Sequence, residues 1–466
     1  MSRILASDDP TTPLLQSARE NPVAAADEIP ESPADTVGEA RGTELALETW
    51  NEPAINAWRV LATFLSFIVV GANDGTYGAL VPYVGEPPMD LCDYYEVDYV
   101  NVSLVFLSPC VGYIVAALVS NWTHTRFGQR GVALLGSGCH IMAYVCCAQH
   151  PPYPVLVLLS VLAGLGNGLL DAAWNAWIGV MKDSSRLMGL LHGFYGLGAA
   201  LAPLTATSLI ATRGWHWYNY YYIMAGGAII EILTLAPAFW SARGRSDKGE
   251  RQRNSEQGQA KCSWKETLCS SPTIQSLGSP ATWIICLFIF IYAGIEITVG
   301  GWVFTFLVRQ RGVPEFAAGM ATFFYWAGLT LGRVLLGFVT TYLQIGKYTV
   351  VAYLAACLTA HTVFWLVEQF NVSVIAVALV GFFLGPLFPQ AVITLASLLP
   401  KHLHIAGIGI AVALGSAGGC VFPFITGALA NVVGIQILQP MILLMLALCL
   451  SSWLILILVS RSERFS

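Results

Sequence analysis

Charge is scarce in this chain: Asp, Glu, Lys and Arg make up only 11% of its 466 residues, against about 25% in a soluble globular protein. A fold wetted on all sides is excluded by that figure, together with the hydrophobic fraction of 56% and the mean hydropathy of +0.63. No G-x-x-x-x-G-K-[ST] phosphate loop occurs, so nucleotide hydrolysis by that route is excluded too. No polar stretch is long enough for a catalytic domain, and an enzyme is not expected. The eleven cysteines fall mostly in apolar runs, with Cys262 and Cys269 in a central polar loop and only Cys92 in an expected outer loop. None stands in C-x-x-C or Cys/His ligand spacing, so neither a disulfide framework, a metal site nor an organic cofactor is expected. A nucleic-acid partner is not expected either.

What is present is a series of long apolar runs, each near the roughly 20 residues a helix needs to cross a bilayer. Twelve are read, at about 58–84, 99–122, 131–149, 153–180, 187–211, 217–240, 281–308, 316–342, 348–367, 373–399, 404–431 and 436–459. The fold class is therefore an all-α membrane protein of twelve transmembrane helices. Residues 1–57 hold eleven acids against three arginines, which accounts for the net charge of -5 and leaves the remainder basic. That acidic tail reads as disordered and lacks a signal-peptide pattern, so the first span is expected to direct insertion. With both termini cytosolic, fifteen Lys and Arg between spans fall inside and three outside, namely Arg213, Arg309 and Arg311.

The spans divide six and six about a polar linker at 241–280, giving bundles at 58–240 and 281–460 and a short tail at 461–466. The halves look duplicated. Gly196-x-Gly198 precedes Pro203 as Ser416-x-Gly418 precedes Pro423, an offset of 220 residues that also separates Gly112 from Gly332. Two pseudo-symmetric six-helix bundles around a midplane site are the architecture of alternating-access carriers of the major facilitator fold.

Polar residues inside such spans are functional candidates, because a carboxyl group at the bilayer centre costs about 2.5 to 3.5 kcal/mol on insertion scales. Span one carries Asn73, Asp74 and Tyr77 between glycines, and span four carries Asn167, Asp171 and Asn175 on one helical face with Trp174 beside them. Span five adds His192 and Tyr195; His140 and His361 rank lower, and Glu231 of span six reads as a gating or packing charge. Glu296 of span seven is either a second-half counterpart of the span-one acid or a buried partner of Arg333 in span eight. Trp302 and Trp326 complete the lining candidates, since indole faces cover the C–H face of a sugar while amides and carboxylates take its hydroxyls. Pro386 and Pro389 predict a kink in span ten.

Asn73-Asp74 in span one and Asp171-Ala-Ala-Trp-Asn175 in span four resemble the N-D and acid-x-x-x-Asn patterns of the fucose-permease branch of the major facilitator superfamily, in particular its fungal members. The likeness covers roughly residues 58–460. It implies proton coupling and sugar recognition at Asp74 and Asp171, with Asn175 as a ligand. The span-four acid is Asp where the bacterial permease has Glu, one methylene shorter. The superfamily loop G-x-x-x-D-R-x-G-R is also altered, because Asn121 to Gln129 keeps Arg126 and Gly128 without the aspartate. Arg126, Arg130 and Arg333 are the gating candidates.

These observations predict a secondary active transporter, with a small solute and the bilayer as partners, acting as a monomer. Proton-coupled symport of a neutral polyhydroxy solute is the leading expectation, the proton serving as coupling ion at Asp74, Asp171 and Glu296. Proton-antiport export of an amphipathic metabolite is the alternative, and a non-transporting receptor or scaffold a third. The expected location is the plasma membrane or, from the near-match to an acidic dileucine signal at Asp8 to Leu15, a vacuolar or endolysosomal membrane.

Overall fold

A computed structural model describes residues 48–80, 99–179, 181–182, 184–242, 272–343, 347–400 and 403–462. Most of the acidic tail, the first outer loop with Cys92, most of the central linker and the far end of the C-terminal tail lie outside the described residues. In hydrocarbon every backbone N–H and C=O needs an internal partner, which leaves helices as the spanning form for chains with these unbroken apolar runs. Among the described residues the chain is helical throughout, with no strand.

The helices are α1 (Ile55–Leu80), α2 (Tyr99–Val102), α3 (Leu104–Cys147), α4 (Tyr153–Gly179), α5 (Ser184–Thr207), α6 (Tyr220–Ala238) and α7 (Pro272–Leu277). They continue as α8 (Pro280–Arg311), α9 (Glu315–Leu343), α10 (Lys347–Leu366), α11 (Phe370–Leu384), α12 (Leu387–Leu398), α13 (His404–Val433) and α14 (Leu438–Ser462). The long α3 contains two apolar runs and reverses at Gly128, whose φ of 69° and ψ of -169° suit a residue without Cβ. Between α11 and α12 the helix breaks at Gly385-Pro386, where the sequence predicts a kink. Eleven helical stretches among the described residues are long and apolar enough to cross a membrane. The 29-residue α9, which carries Arg333, is not among these. Large apolar side chains such as Leu118, Leu233, Leu366 and Leu458 are left exposed on the outside of the bundle, as a lipid-facing surface requires.

The helices before and after the linker pack mainly among themselves, and the same contact recurs in both groups. Gly198 of α5 lies against the backbone of Ile68 in α1, and Gly418 of α13 lies against the backbone of Phe290 in α8, so closely that a Cβ would collide at either place. Gly112 of α3 abuts Gly164 of α4 as Gly332 of α9 abuts Gly385. Small residues are what bring helices together where lipid is no less apolar than a neighbouring helix. Glycines 220 residues apart in the sequence thus stand at corresponding helix contacts.

Across the groups α5 packs on α9, α13 on α2 and α3, and α1 on α8. Gly78 touches the backbone of Gly300 and Gly301, Gly301 also faces the Phe106 ring, Gly427 lies on Ser103, and Gly319 meets Thr207. Because successive helices run in opposite directions, these glycine contacts fall at one end of the bundle, where the two groups are closed on each other, while Gly196 of α5 meets Thr330 of α9 nearer the middle. The Cys110 and Cys420 thiols, one from each group, are in hydrogen-bonding contact nearby.

Mild oxidation should therefore join Cys110 to Cys420. After tryptic cleavage of the Lys- and Arg-rich 243–265 segment, the two fragments should stay linked on a non-reducing gel and separate in Cys110→Ser. Separation in the unsubstituted chain would mean that the groups do not meet there.

Candidate functional site

Five helices of the first group bring polar side chains to one place. Asp74 of α1 accepts at Oδ1 from Asn73 Nδ2 (3.1 Å) and Asn167 Nδ2 of α4 (3.0 Å), and at Oδ2 from the Tyr195 hydroxyl of α5 (2.9 Å). Asn167 Oδ1 faces His140 Nε2 of α3 at 2.9 Å, and His140 Nδ1 meets Glu231 Oε2 of α6 at 2.9 Å. Glu231 Oε1 accepts from the Ser66 hydroxyl at 2.7 Å. Asn73 Oδ1 accepts from the Tyr144 hydroxyl (3.1 Å), while the Tyr77 hydroxyl also contacts Asn73 (3.2 Å). The result is one hydrogen-bonded chain running Glu231, His140, Asn167, Asp74, Tyr195.

Exposure divides that chain. Glu231, His140 and Asn167 are fully buried at 0%, whereas Asp74, Tyr77 and Tyr195 are half-buried. The half-buried end continues into a second cluster one turn along α4. Asn175 Nδ2 donates to Asp171 Oδ1 at 2.8 Å, and Asn175 Oδ1 meets His192 Nε2 of α5 at 3.2 Å. Asp171, Asn175 and His192 are each half-buried as well. The expected stripe on α4 thus resolves into two parts: Asn167 faces inward to support Asp74, and Asp171 with Asn175 stays half-buried. Tyr113 of α3, also half-buried, lies within electrostatic reach of Asp74, Asp171 and Tyr195.

The second group contributes an ion pair. Arg333 Nη2 contacts both Glu296 carboxylate oxygens at 2.7 Å, with the Tyr292 hydroxyl at 3.4 Å, while the Tyr325 hydroxyl donates to the Glu296 backbone carbonyl at 2.9 Å. Of the two expectations for Glu296, the pairing with Arg333 is the one the structure contains. The pair is not remote from the first group, because Glu296 is within electrostatic reach of Asp74 and Arg333 of His192 and Tyr195.

Three tryptophans expected to line the site are packed elsewhere. Trp174 is fully buried and stacks on Phe239 at 4.6 Å, because its position on α4 turns it into the core of the first group. Trp302 is fully buried at the closed end, where its Nε1 donates to the Pro423 carbonyl at 3.0 Å and its ring packs on Phe106 at 5.6 Å. Trp326, 1% exposed, lies against Gly300 and the edge of Tyr325. Indoles large enough to stack on a sugar are equally able to fill the gaps that glycines leave between helices.

The gating candidates separate likewise. Arg126 is exposed, Arg130 stacks its guanidinium 3.4 Å from the Trp240 ring centre within the first group, and Arg333 is held by Glu296. The residues underrated in the sequence are His140 and Glu231, each a single titratable group in an apolar run. Tyr113 gave no signal at all beyond being a tyrosine in a span.

The sequence pattern of the Major Facilitator Superfamily matches residues 63–423. The chain is 33% identical over 413 residues to Bypass of stop codon protein 6 of Saccharomyces cerevisiae, covering 85% of this chain and 81% of that protein. It is 22% identical over 365 residues to the glucose/mannose transporter GlcP of Bacillus subtilis, covering 78% and 85% of the two. Among solved structures, a bacterial homologue of the human lysosomal transporter Spinster superposes with a TM-score of 0.66 at 12% identity, covering 86% of this chain and 97% of that one. A D-xylose-proton symporter superposes at 0.62 and 13% identity, covering 84% and 97%. The chain belongs to the major facilitator superfamily. It is an integral membrane transporter rather than an enzyme.

Three substitutions test the placement of these residues. Glu296→Gln strands a buried guanidinium and should destabilise by about 3–5 kcal/mol, with the Glu296→Gln/Arg333→Gln double variant less affected than the sum of the singles. Thermal unfolding in detergent micelles checks both. Trp174→Ala should cost about 3–5 kcal/mol through the cavity it leaves against Phe239, while the substrate KM of the surviving protein stays unchanged.

Proposed function

We propose that the chain is a proton-coupled symporter that carries a small neutral polyhydroxy solute, such as a sugar, by alternating access. The observation that carries this reading is the junction of Asp74 with the half-buried Asp171, Asn175 and His192 between the two helix groups. Hydroxyl groups both donate and accept, so a polyol is matched by a mixed set. Asp171 supplies acceptors, Arg333 supplies N–H donors beyond the one held by Glu296, and Asn175 can serve either way. Arg333 is neutralised by Glu296, so the second group offers no net charge to favour an ionic solute over a neutral one. Asp74 and Asp171 are the proton carriers in this reading. A carboxyl group between lipid-embedded helices gains from neutralisation whenever its face of the cavity is closed to water.

The sugar transporters among the relatives support the solute class, and the fucose-permease-like branch is the one we assign from Asn73-Asp74 and Asp171 to Asn175. The architecture that goes with it is twelve crossings in two six-helix bundles at 58–240 and 281–460, with α9 as the crossing that carries Arg333. Both termini are placed in the cytosol, so the closed end faces outward. The protein acts as a monomer in the plasma membrane or a vacuolar or endolysosomal membrane.

Reconstitution into proteoliposomes, followed by an uptake screen over sugars and polyols with and without a pH gradient, tests the reading. Concentrative uptake of at least one such solute is expected only with the gradient. Asp171→Asn should abolish accumulation while leaving solute exchange. Accumulation by Asp171→Asn at the unsubstituted level would remove Asp171 from the coupling role, and accumulation indifferent to the gradient would remove proton coupling altogether.

A further inference from the structure

The deepest part of the site is fully buried, yet it contains two titratable groups. His140 and Glu231 are both 0% exposed, on α3 and α6, and so present no surface to a solute. What they do follows from where the hydrogens must lie. Asn167 Nδ2 donates to Asp74, so Asn167 Oδ1 is the atom facing His140, and a carbonyl oxygen only accepts. His140 Nε2 therefore carries a hydrogen. The 2.9 Å contact between His140 Nδ1 and Glu231 Oε2 must contain a second one, since two lone pairs would repel. That proton sits on the imidazole or on the carboxyl, and in both cases the pair is electrically neutral overall. Neutrality is the state full burial favours.

Removing a proton from this pair changes the requirement at Asn167. With one hydrogen left, His140 donates from Nδ1 to the Glu231 carboxylate and presents a bare Nε2 to Asn167. That Nε2 needs a donor, which the amide supplies only after a half-turn about its terminal bond. The half-turn brings Asn167 Oδ1 to Asp74 Oδ1, two acceptors face to face, unless Asp74 Oδ1 itself holds a hydrogen and donates it. The proton count balances: one leaves His140 Nε2, one arrives at Asp74 Oδ1, and the negative charge moves from Asp74 to Glu231.

We infer that His140 and Glu231 form a second proton site of this carrier, loaded when Asp74 is empty and emptied when Asp74 is loaded, with the Asn167 amide enforcing the exchange. The role in transport rests on the proton-coupled reading above. The groups that bear on this exchange come from every neighbouring helix. Ser66 of α1 donates to Glu231, Tyr144 stacks on His140 at 5.5 Å and donates to Asn73, and Tyr221 of α6 lies 6.3 Å from Tyr144. Around Asp74 stand Asn73, Tyr77, Tyr195, Tyr113 and Asp171, with the Glu296–Arg333 pair across the interface. Of all these, Asn167 alone bonds to both proton sites.

Infrared titration of the full-length protein in lipid nanodiscs reads the protonation of these groups directly. Carboxylic and imidazole bands are assigned by their loss in Glu231→Gln and His140→Gln, with Glu231→Asp as the substitute if Glu231→Gln does not fold. Asp74→Asn should lower the proton affinity of the His140–Glu231 pair by about tenfold, the scale of a strongly coupled pair of sites. In an Asn167→Leu background, near in size but without donor or acceptor, Asp74→Asn should leave the pair unaltered, with Asn167→Ala as the second such background. Equal titration of the pair with and without Asp74→Asn would overturn the proposal. So would an undiminished shift without the Asn167 amide, which would assign the effect to the field of Asp74. No solute is present in this measurement. Loss of proton-driven uptake with the linkage intact therefore counts against the sugar-symport reading alone, and loss of the linkage with proton-driven uptake intact counts against this proposal alone.

Discussion

A carboxylate among lipid-embedded helices persists only if donors surround it, and at Asp74 that condition organises five helices. One oxygen takes two amide donors and the other a phenol, so α1 is tied at a single side chain to α4 and α5. Each donor then makes its own demand. Asn167 needs a donor for its carbonyl, which places His140, and His140 needs a partner at Nδ1, which places Glu231. Buried polar groups are tolerated when every member is satisfied. Here the chain ends on one side at the Ser66 hydroxyl and on the other at the half-buried Tyr195.

The two helix groups solve the same electrostatic problem differently. In the first, acids are met by amides, hydroxyls and an imidazole. In the second, Glu296 is met by a guanidinium at 2.7 Å. An Arg–Glu pair keeps its charges through most changes in its surroundings, because the guanidinium does not give up its proton. Amides, phenols and imidazole accommodate either charge state of a carboxyl. The first group is accordingly the half suited to proton exchange, and the second presents a fixed dipole to it. Glu296 and Arg333 are within electrostatic reach of Asp74, His192 and Tyr195, so a change of charge at Asp74 alters the force between the groups. In the proposed symport that force is the link between protonation and relative movement.

The sequence reads differently at different depths. Helix positions follow from apolar run length, and the described helices fall close to the expected spans; α1 begins at Ile55 rather than 58, where Asn56 bonds back to Glu48. The paired glycines are legible because a glycine at a close helix contact leaves no room for a Cβ, and Gly198 and Gly418 stand at corresponding contacts in the two groups. Asp74 and Asp171 stood out because a carboxyl in an apolar run needs a reason. The pairing of His140 with Glu231 did not, since they lie 91 residues apart and no periodicity links separate helices. Trp174 and Trp302 were misplaced because helical spacing assigns a residue to a face but does not say what that face meets.

Trp302 also helps to account for why the closed end is closed. Trp302 packs on Phe106 and lies beside Gly427, and Gly78 meets Gly300 and Gly301 where no side chains separate the backbones. Contacts between bare backbone and a flat ring are extensive when matched and few when slightly displaced, since dispersion falls steeply with distance. Such a seam is built to hold or release as a unit. In the proposed exchange the bonds of the polar chain around Asp74 instead reorient in place. In the proposed carrier the seam is the part that moves and the polar chain around Asp74 the part that changes charge.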